Sequence, residues 1–250
     1  MGMDVSLLFL ELSNIDRVRI LKFLEGRKMK LSHIARELNF SVQETHRNLQ
    51  RMIKVGLVDR DKDGSYYLTS FGQCILTLLP SFSFLCKHKD YFLTHDLTRI
   101  PRSFLERIGE LARTRFAPDL FTAINLIEAI IREAEKYVLI ITEHVLLSGI
   151  EMLSMKPPGI IVKIILPSRA SLPRKAKVDN RAARRFNVRF LDSIDVALVQ
   201  NEKRAGIAFP YLTGEIDYRG FLVEDEEGLS WCRDLFQYYW DKAKLIRDAV

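Results

Sequence analysis

Long apolar runs are missing from this 250-residue chain. The longest, Tyr137–Thr142 and Gly159–Pro167, have the length of strands and fall far short of the roughly 18 residues of a membrane span. No basic stretch precedes an apolar one after Met1-Gly-Met-Asp4, so a secretory signal is not expected. Cysteine is scarce. Cys74, Cys86 and Cys232 are odd in number and widely spaced, which excludes a disulfide framework and makes the cytoplasm the expected compartment. Repeats and low-complexity tracts are absent. With 48% apolar residues and a net charge of only +6, disorder is excluded as the main state.

Chemical signatures are missing too. There is no Gly-rich phosphate loop, which argues against an NTPase, and no Gly-x-Ser-x-Gly elbow of a serine hydrolase. Cys86, His88 and His95 lack the spacing of a zinc motif and a fourth ligand. No metal, cofactor or catalytic set is expected. The segment around His88 reads instead as a helix whose apolar residues Phe84, Leu85, Tyr91 and Phe92 pack at an inter-domain or dimer interface.

Basic charge, in contrast, is concentrated. Between Arg27 and Lys54 lie Arg27, Lys28, Lys30, Arg36, Arg47, Arg51 and Lys54, opposed only by Glu37 and Glu44. A second basic stretch runs from Arg169 to Arg189, with Asp179 as its only acid. The apolar period also changes along the chain. Leu21, Leu24, Ile34, Leu38, Leu49 and Met52 recur at helical spacings, whereas from about residue 137 short β-rich runs alternate with helical segments. The expected fold is therefore two domains. A winged helix-turn-helix (α+β) over 1–69 is followed by linker and dimerisation helices over 70–112. An α/β domain with a mixed sheet flanked by helices occupies 113–250. Pro80 is expected to interrupt the first connecting helix.

The segment from Lys30 to Thr69 carries the sharpest local signal. Leu31–Leu38 reads as a short helix, Asn39-Phe40-Ser41 as a turn, and 42–55 as a second helix capped by Ser41 and stopped by Gly56. Thr45, Leu49 and Met52 share one face. The opposite face presents Gln43, Glu44, Arg47, Gln50, Arg51 and Lys54, with His46 beside it. A hairpin follows around Asp61-Lys-Asp-Gly64. A helix of this kind fits the major groove, where amide and guanidinium groups read base edges, and a wing bearing Arg60 and Lys62 reaches phosphate. Double-stranded DNA is thus the expected partner.

At these residues the chain resembles winged-helix regulators of the ArsR and MarR type. The run Leu12–Leu24 is similar to their first helix, and Ser41–Val58 to their recognition helix and following strand. Farther on, Phe84–Leu97, Ile100-Pro101, Ile108–Leu111, Phe209-Pro210, Ile216–Tyr218 and Trp231–Trp240 resemble the archaeal methanogenesis-regulator family of transcription factors. That resemblance implies a transcription regulator whose C-terminal domain senses a small molecule and is similar to phospholipase-D-like domains. Those enzymes use His-x-Lys-x4-Asp. None of the five histidines here stands in that pattern, so a phosphodiesterase reading loses its nucleophile and acid.

The second basic stretch follows a strand, and ligands of α/β sheets bind beyond the carboxyl ends of strands. Arg169, Arg184 and Arg185 are candidate anchors for an anionic effector, and Thr142 and His144 form a second candidate rim. A solvated basic face, lying against DNA, is the more ordinary reading of the same stretch. A homodimer on a pseudo-palindromic site is expected, with Leu76, Leu79, Phe82, Phe84, Leu85 and Phe92 contributing to the contact. The rivals are a phosphodiesterase with an appended DNA-binding module and a ligand-free architectural DNA-binding protein.

Overall fold

The computed structural model describes residues 4–144, 146–168 and 186–245. The chain divides into two compact units, Met1–Pro80 and Ser81–Val250.

The first unit opens with helices α1 (Val5–Leu12) and α2 (Ile15–Phe23). Asn14 separates the two. Its side chain accepts the Arg17 backbone N–H at 3.0 Å and starts a new helix. Next come strand β1 (Met29–Lys30), α3 (Leu31–Leu38), α4 (Val42–Lys54), β2 (Val58–Arg60), β3 (Ser65–Leu68) and α5 (Ser70–Lys87). The strands form an antiparallel sheet in the order β1-β3-β2. Ile20, Leu21, Leu24, Ile34, Leu49, Met52, Leu57 and Tyr66 make one dry core. Gly72 lets α5 lie against the β2 entry. A Cβ there would stand 2.0 Å from the Leu57 carbonyl oxygen, so no side chain is tolerated.

Pro80 does not end α5, contrary to the reading from sequence; the helix runs on to Lys87. Much of the apolar surplus assigned above to a subunit contact goes into the two cores. Leu76 is buried in the first, with Leu79 packed against it. Phe84 is buried in the second, with Leu85 and Phe92 against it. Tyr91 joins that second core as well, while Phe82 stays 52% exposed.

The second unit continues with α6 (Lys89–Phe92), α7 (Arg102–Glu106), a 3-10 turn (Ile108–Leu111), β4 (Arg115–Ala117), α8 (Leu120–Glu133), β5 (Tyr137–Ile141) and α9 (Leu147–Ser154). It ends with β6 (Ile161–Pro167), β7 (Asn187–Leu191), β8 (Ala197–Gln200), β9 (Ala205–Ala208), β10 (Gly220–Val223) and α10 (Glu226–Lys242). Seven strands pair in the order β4-β10-β9-β8-β5-β6-β7. The β5, β6 and β7 pairings are parallel and the rest antiparallel, a mixed sheet. One face is covered by α10 through Trp231, Leu235 and Phe236, together with Phe84, Ile100, Phe104, Ile108 and Leu111. The other is covered by α8 and α9 through Ile130, Ile131 and Leu153. Helices therefore flank the sheet on both sides, as near-continuous apolar strands such as Val162–Leu166 require. The β4 strand was not apparent in the sequence.

Candidate nucleic-acid interface

The site is built by two helices and a turn. At the end of α3, Asn39 adopts the left-handed conformation, with φ of 57°, and turns the chain sharply. Ser41 then starts α4: its Oγ accepts the Glu44 N–H at 3.1 Å, and its carbonyl accepts the Thr45 hydroxyl at 2.9 Å. Gly56, at φ of +73°, follows the helix end.

Burial fixes which face of α4 is presented. Thr45, Leu49 and Met52 have no solvent exposure, and Asn48 only 4%. At about 100° per residue, Gln43, Arg47, Gln50 and Lys54 then fall within a band of roughly 60° on the opposite side. Gln43, His46, Arg47 and Lys54 are exposed, and Gln50 and Glu44 half-buried. Gln50 Nε2 lies 3.5 Å from His46 Nε2. Among the described residues no carboxylate forms a salt bridge with Arg47 or Lys54, although the Lys54 charge helps to lower the Glu11 carboxyl.

The wing is a four-residue turn between β2 and β3. The Asp61 carboxylate accepts the Ser65 N–H at 2.8 Å, and Gly64 turns at φ of +80° with its N–H on the Asp61 carbonyl. Lys62 is exposed at the tip. Arg60, also exposed, lies over the Tyr66 ring at 5.4 Å. Two further lysines gather here that the sequence reading did not place. Lys30, on β1, donates to the Asp63 carbonyl, and Lys28 lies 3.6 Å from Asp61 and over the Tyr67 ring. The pairing of β1 with β3 brings them in.

Arg51 behaves differently from its neighbours. Its guanidinium grips Glu11 in a fork, with Nη2 to Oε1 at 2.7 Å and Nε to Oε2 at 2.9 Å. Glu11 is 7% exposed and also lies 3.1 Å from Arg17, itself buried. Arg17 further donates to the Glu11 and Leu10 carbonyls, closing the end of α1. The Arg51 hydrogen bonds, helped by Arg17, hold the Glu11 carboxyl below the usual range despite burial. Arg51, expected to face DNA, is thus tied to its own chain.

In the second unit, Thr142 and His144 do come together at the end of β5. The Thr142 hydroxyl donates to the His144 carbonyl at 2.8 Å and lies 3.1 Å from the Tyr218 hydroxyl. Tyr218 also accepts the His144 N–H at 3.1 Å, and burial pushes its phenol up. Arg169, Arg184 and Arg185 lie outside the described residues.

Near this end of the sheet sits a buried polar network that spacing did not reveal. His95, 3% exposed, directs Nδ1 to the Tyr91 carbonyl at 2.7 Å and Nε2 to Asp217 at 3.0 Å. Tyr91 stacks on the imidazole with centroids 3.6 Å apart. Arg219 holds Asp217 at 2.7 Å and reaches the Tyr211 hydroxyl at 2.6 Å. Burial acts to raise the Asp217 carboxyl, but hydrogen bonds from Arg219 and His95 outweigh it and leave it below its ordinary value. His88, by contrast, packs between the Phe84 and Phe221 rings, and burial lowers its imidazole so that the neutral form is favoured. His88 and His95 therefore serve different interior environments.

Residues 17–87 match the family described as winged helix-turn-helix. The N-terminal unit is a winged helix-turn-helix domain by both sequence and architecture. No curated protein matches the sequence. Among solved structures the chain is similar to the archaeal chromatin protein TrmBL2, whose structure is described as showing a novel mode of DNA binding. Identity is 16%, coverage 92% of this chain and 94% of that one, and the TM-score 0.42. It is also similar to an IclR homologue from Microbacterium sp. strain HM58-2, at 15% identity, 91% and 94% coverage, and a TM-score of 0.27. A third similarity is to PigF with SAH, at 19% identity, 68% and 53% coverage, and a TM-score of 0.24. At these scores the structural likenesses carry no argument of their own.

Proposed function

We propose that this chain is a sequence-specific DNA-binding transcription regulator. The observation that carries the reading is the two-faced α4. Thr45, Leu49 and Met52 anchor one side without solvent exposure. Gln43, His46, Arg47 and Lys54 stand exposed on the other, with Gln50 half-buried among them. Guanidinium and amide groups of this kind pair with purine edges in the major groove. Arg60 and Lys62 supply cations for the flanking phosphates. One such helix reads only a short site, so two copies related by a two-fold axis supply useful specificity.

The second unit is proposed to sense a small anionic effector beyond the carboxyl ends of β5 and β6. The rim of Thr142 and His144 and the cations Arg169, Arg184 and Arg185 would take part. Control requires that the effector bind one arrangement of the two winged helices better than another.

The deciding experiment is selection of bound fragments from random duplexes, followed by fluorescence anisotropy on the winner and on scrambled DNA. A preference of about a thousandfold or more is the expected result for a specific regulator. Equal affinity for every duplex would make the protein architectural, and no affinity for any would end the DNA reading. Thermal-shift screening with small anions tests the sensor, since a ligand that binds the native state raises its melting temperature. Charge reversal at Arg184 and Arg185 should abolish such a shift.

A further inference from the structure

The cation Arg51 sits on the shoulder of α4, four residues after Arg47 and three before Lys54. Those spacings put the three side chains along one side of the helix, each within a turn of the next. Such a row suits a polyphosphate backbone. The outer two form no salt bridge among the described residues, Lys54 only adding its charge near Glu11, while the middle one is gripped by that carboxylate from another helix. That carboxylate is not placed casually. Glu11 is 7% exposed, and Arg17 grips both its side chain, at 3.1 Å, and its backbone carbonyl, at 2.7 Å. Arg51 meets it with the two-pronged geometry that guanidinium uses equally for carboxylate and for phosphate. Yet the Arg51 side chain remains 45% exposed, so a phosphate could approach it if Glu11 were gone.

We infer that Glu11 is a specificity-determining residue of the DNA interface: it occupies Arg51 as a phosphate would, and so withholds one cation of α4 from sequence-independent binding. This inference rests on the DNA-binding reading above. Its logic is electrostatic. Each phosphate neutralised by a protein cation releases counterions and raises affinity for every duplex alike. A regulator gains nothing in discrimination from such a contact, and it loses free protein to the excess of nonspecific sites. Glu11 lowers that floor without touching Arg47 and Gln50, which face the bases. Arg17 acts as a positioning residue, holding Glu11 at the end of α1 where Arg51 can reach it.

The test uses the full chain and a duplex of random sequence, with anisotropy read from 50 to 300 mM salt. Glu11→Gln keeps the shape and frees Arg51. Its slope of log affinity against log salt should steepen by about 0.9, the value of one phosphate contact on duplex DNA. Arg51→Gln in the otherwise native chain should leave the slope where it was, and the double variant should return to it. Glu25→Gln removes an exposed carboxylate elsewhere in the same unit and controls for net charge. A Glu11→Gln slope equal to wild type, or one matched by Glu25→Gln, overturns the inference. So does a slope flattened by one unit in Arg51→Gln, which needs no change at Glu11 and remains decisive if Glu11→Gln fails to fold. A DNA-free measurement separates the two levels of the argument. The Arg51 Nε–H should exchange slowly in wild type and fast in Glu11→Gln by NMR. Fast exchange in wild type overturns the latch whatever DNA does. Slow exchange in a protein without affinity for any duplex overturns the DNA reading, and the inference with it.

Discussion

Removing one oxygen atom tests the interior of the second unit. The Tyr91 hydroxyl accepts the Phe209 N–H at 2.9 Å and donates to the Arg219 carbonyl at 3.2 Å. Tyr91 is 8% exposed and Phe209 fully buried, and burial keeps the phenol protonated by pushing it upward. Tyr91→Phe retains the ring, its stacking on His95 and nearly all of its apolar burial. What changes is that the Phe209 N–H loses its acceptor in a dry setting. An orphaned buried donor costs about 1–3 kcal/mol. For a unit of this size each kcal/mol moves the melting temperature by roughly 3 °C. The expected result by differential scanning calorimetry is a drop of roughly 3–9 °C in the transition of the second unit. DNA affinity at a temperature below that transition should not move. A drop under about 1 °C would refute the reasoning, because the buried N–H would then have found another acceptor at no cost.

Three further outcomes follow from the first unit. Arg47→Ala should cost about 1–3 kcal/mol on the preferred duplex and relax the preference at one base pair, read by anisotropy on single-substituted sites; equal weakening on scrambled DNA would make Arg47 a phosphate contact only. Lys62→Ala should flatten the salt slope by about one unit with base preference intact, and an unchanged slope would remove the wing tip from the interface. The third concerns acid. Glu11 is held below its ordinary value in the folded chain, chiefly by Arg51. Its contribution is therefore fully present above the unfolded carboxyl's range near 4.5 and is lost as pH falls through the lower folded value. Denaturation of the first unit between pH 5 and pH 3 should accordingly be less steep in Glu11→Gln than in wild type, and identical pH dependence would show that the pair contributes nothing to folding.

What the sequence made legible depended on how local the cause was. Ser41, Asn39, Gly56 and Gly64 act within four residues of themselves, so the ends of α4 and the wing turn could be read directly. Strands β5, β6, β8, β9 and β10 could be read because largely buried strands are nearly continuous apolar runs, whereas β7 is a half-buried edge strand with Arg189 within it. In contrast, β1 is two residues long and exists only because β3 lies beside it. Strand β4 is three residues at the sheet edge, too short for a pattern. Arg51 looked like its neighbours Arg47 and Lys54, and only the fold shows that Glu11, far away in sequence, claims it. The same holds for His95, whose partner Asp217 stands 122 positions away. A spacing rule for histidines has no access to such a pair.

The order in which the two units can close has a consequence during synthesis. The first compact unit ends at Pro80, and its last helix at Lys87. The sheet of the second unit pairs β4 with β10, so Phe116 waits for Phe221 before its strand has a neighbour. At about 5–20 residues per second, the stretch between residue 80 and the end of β10 occupies the ribosome for roughly 7–30 s. Over that interval the winged helix-turn-helix is already complete on a nascent chain whose β4 still lacks its neighbour. A ribosome-bound or truncated product would therefore carry the winged helix-turn-helix without a completed second unit.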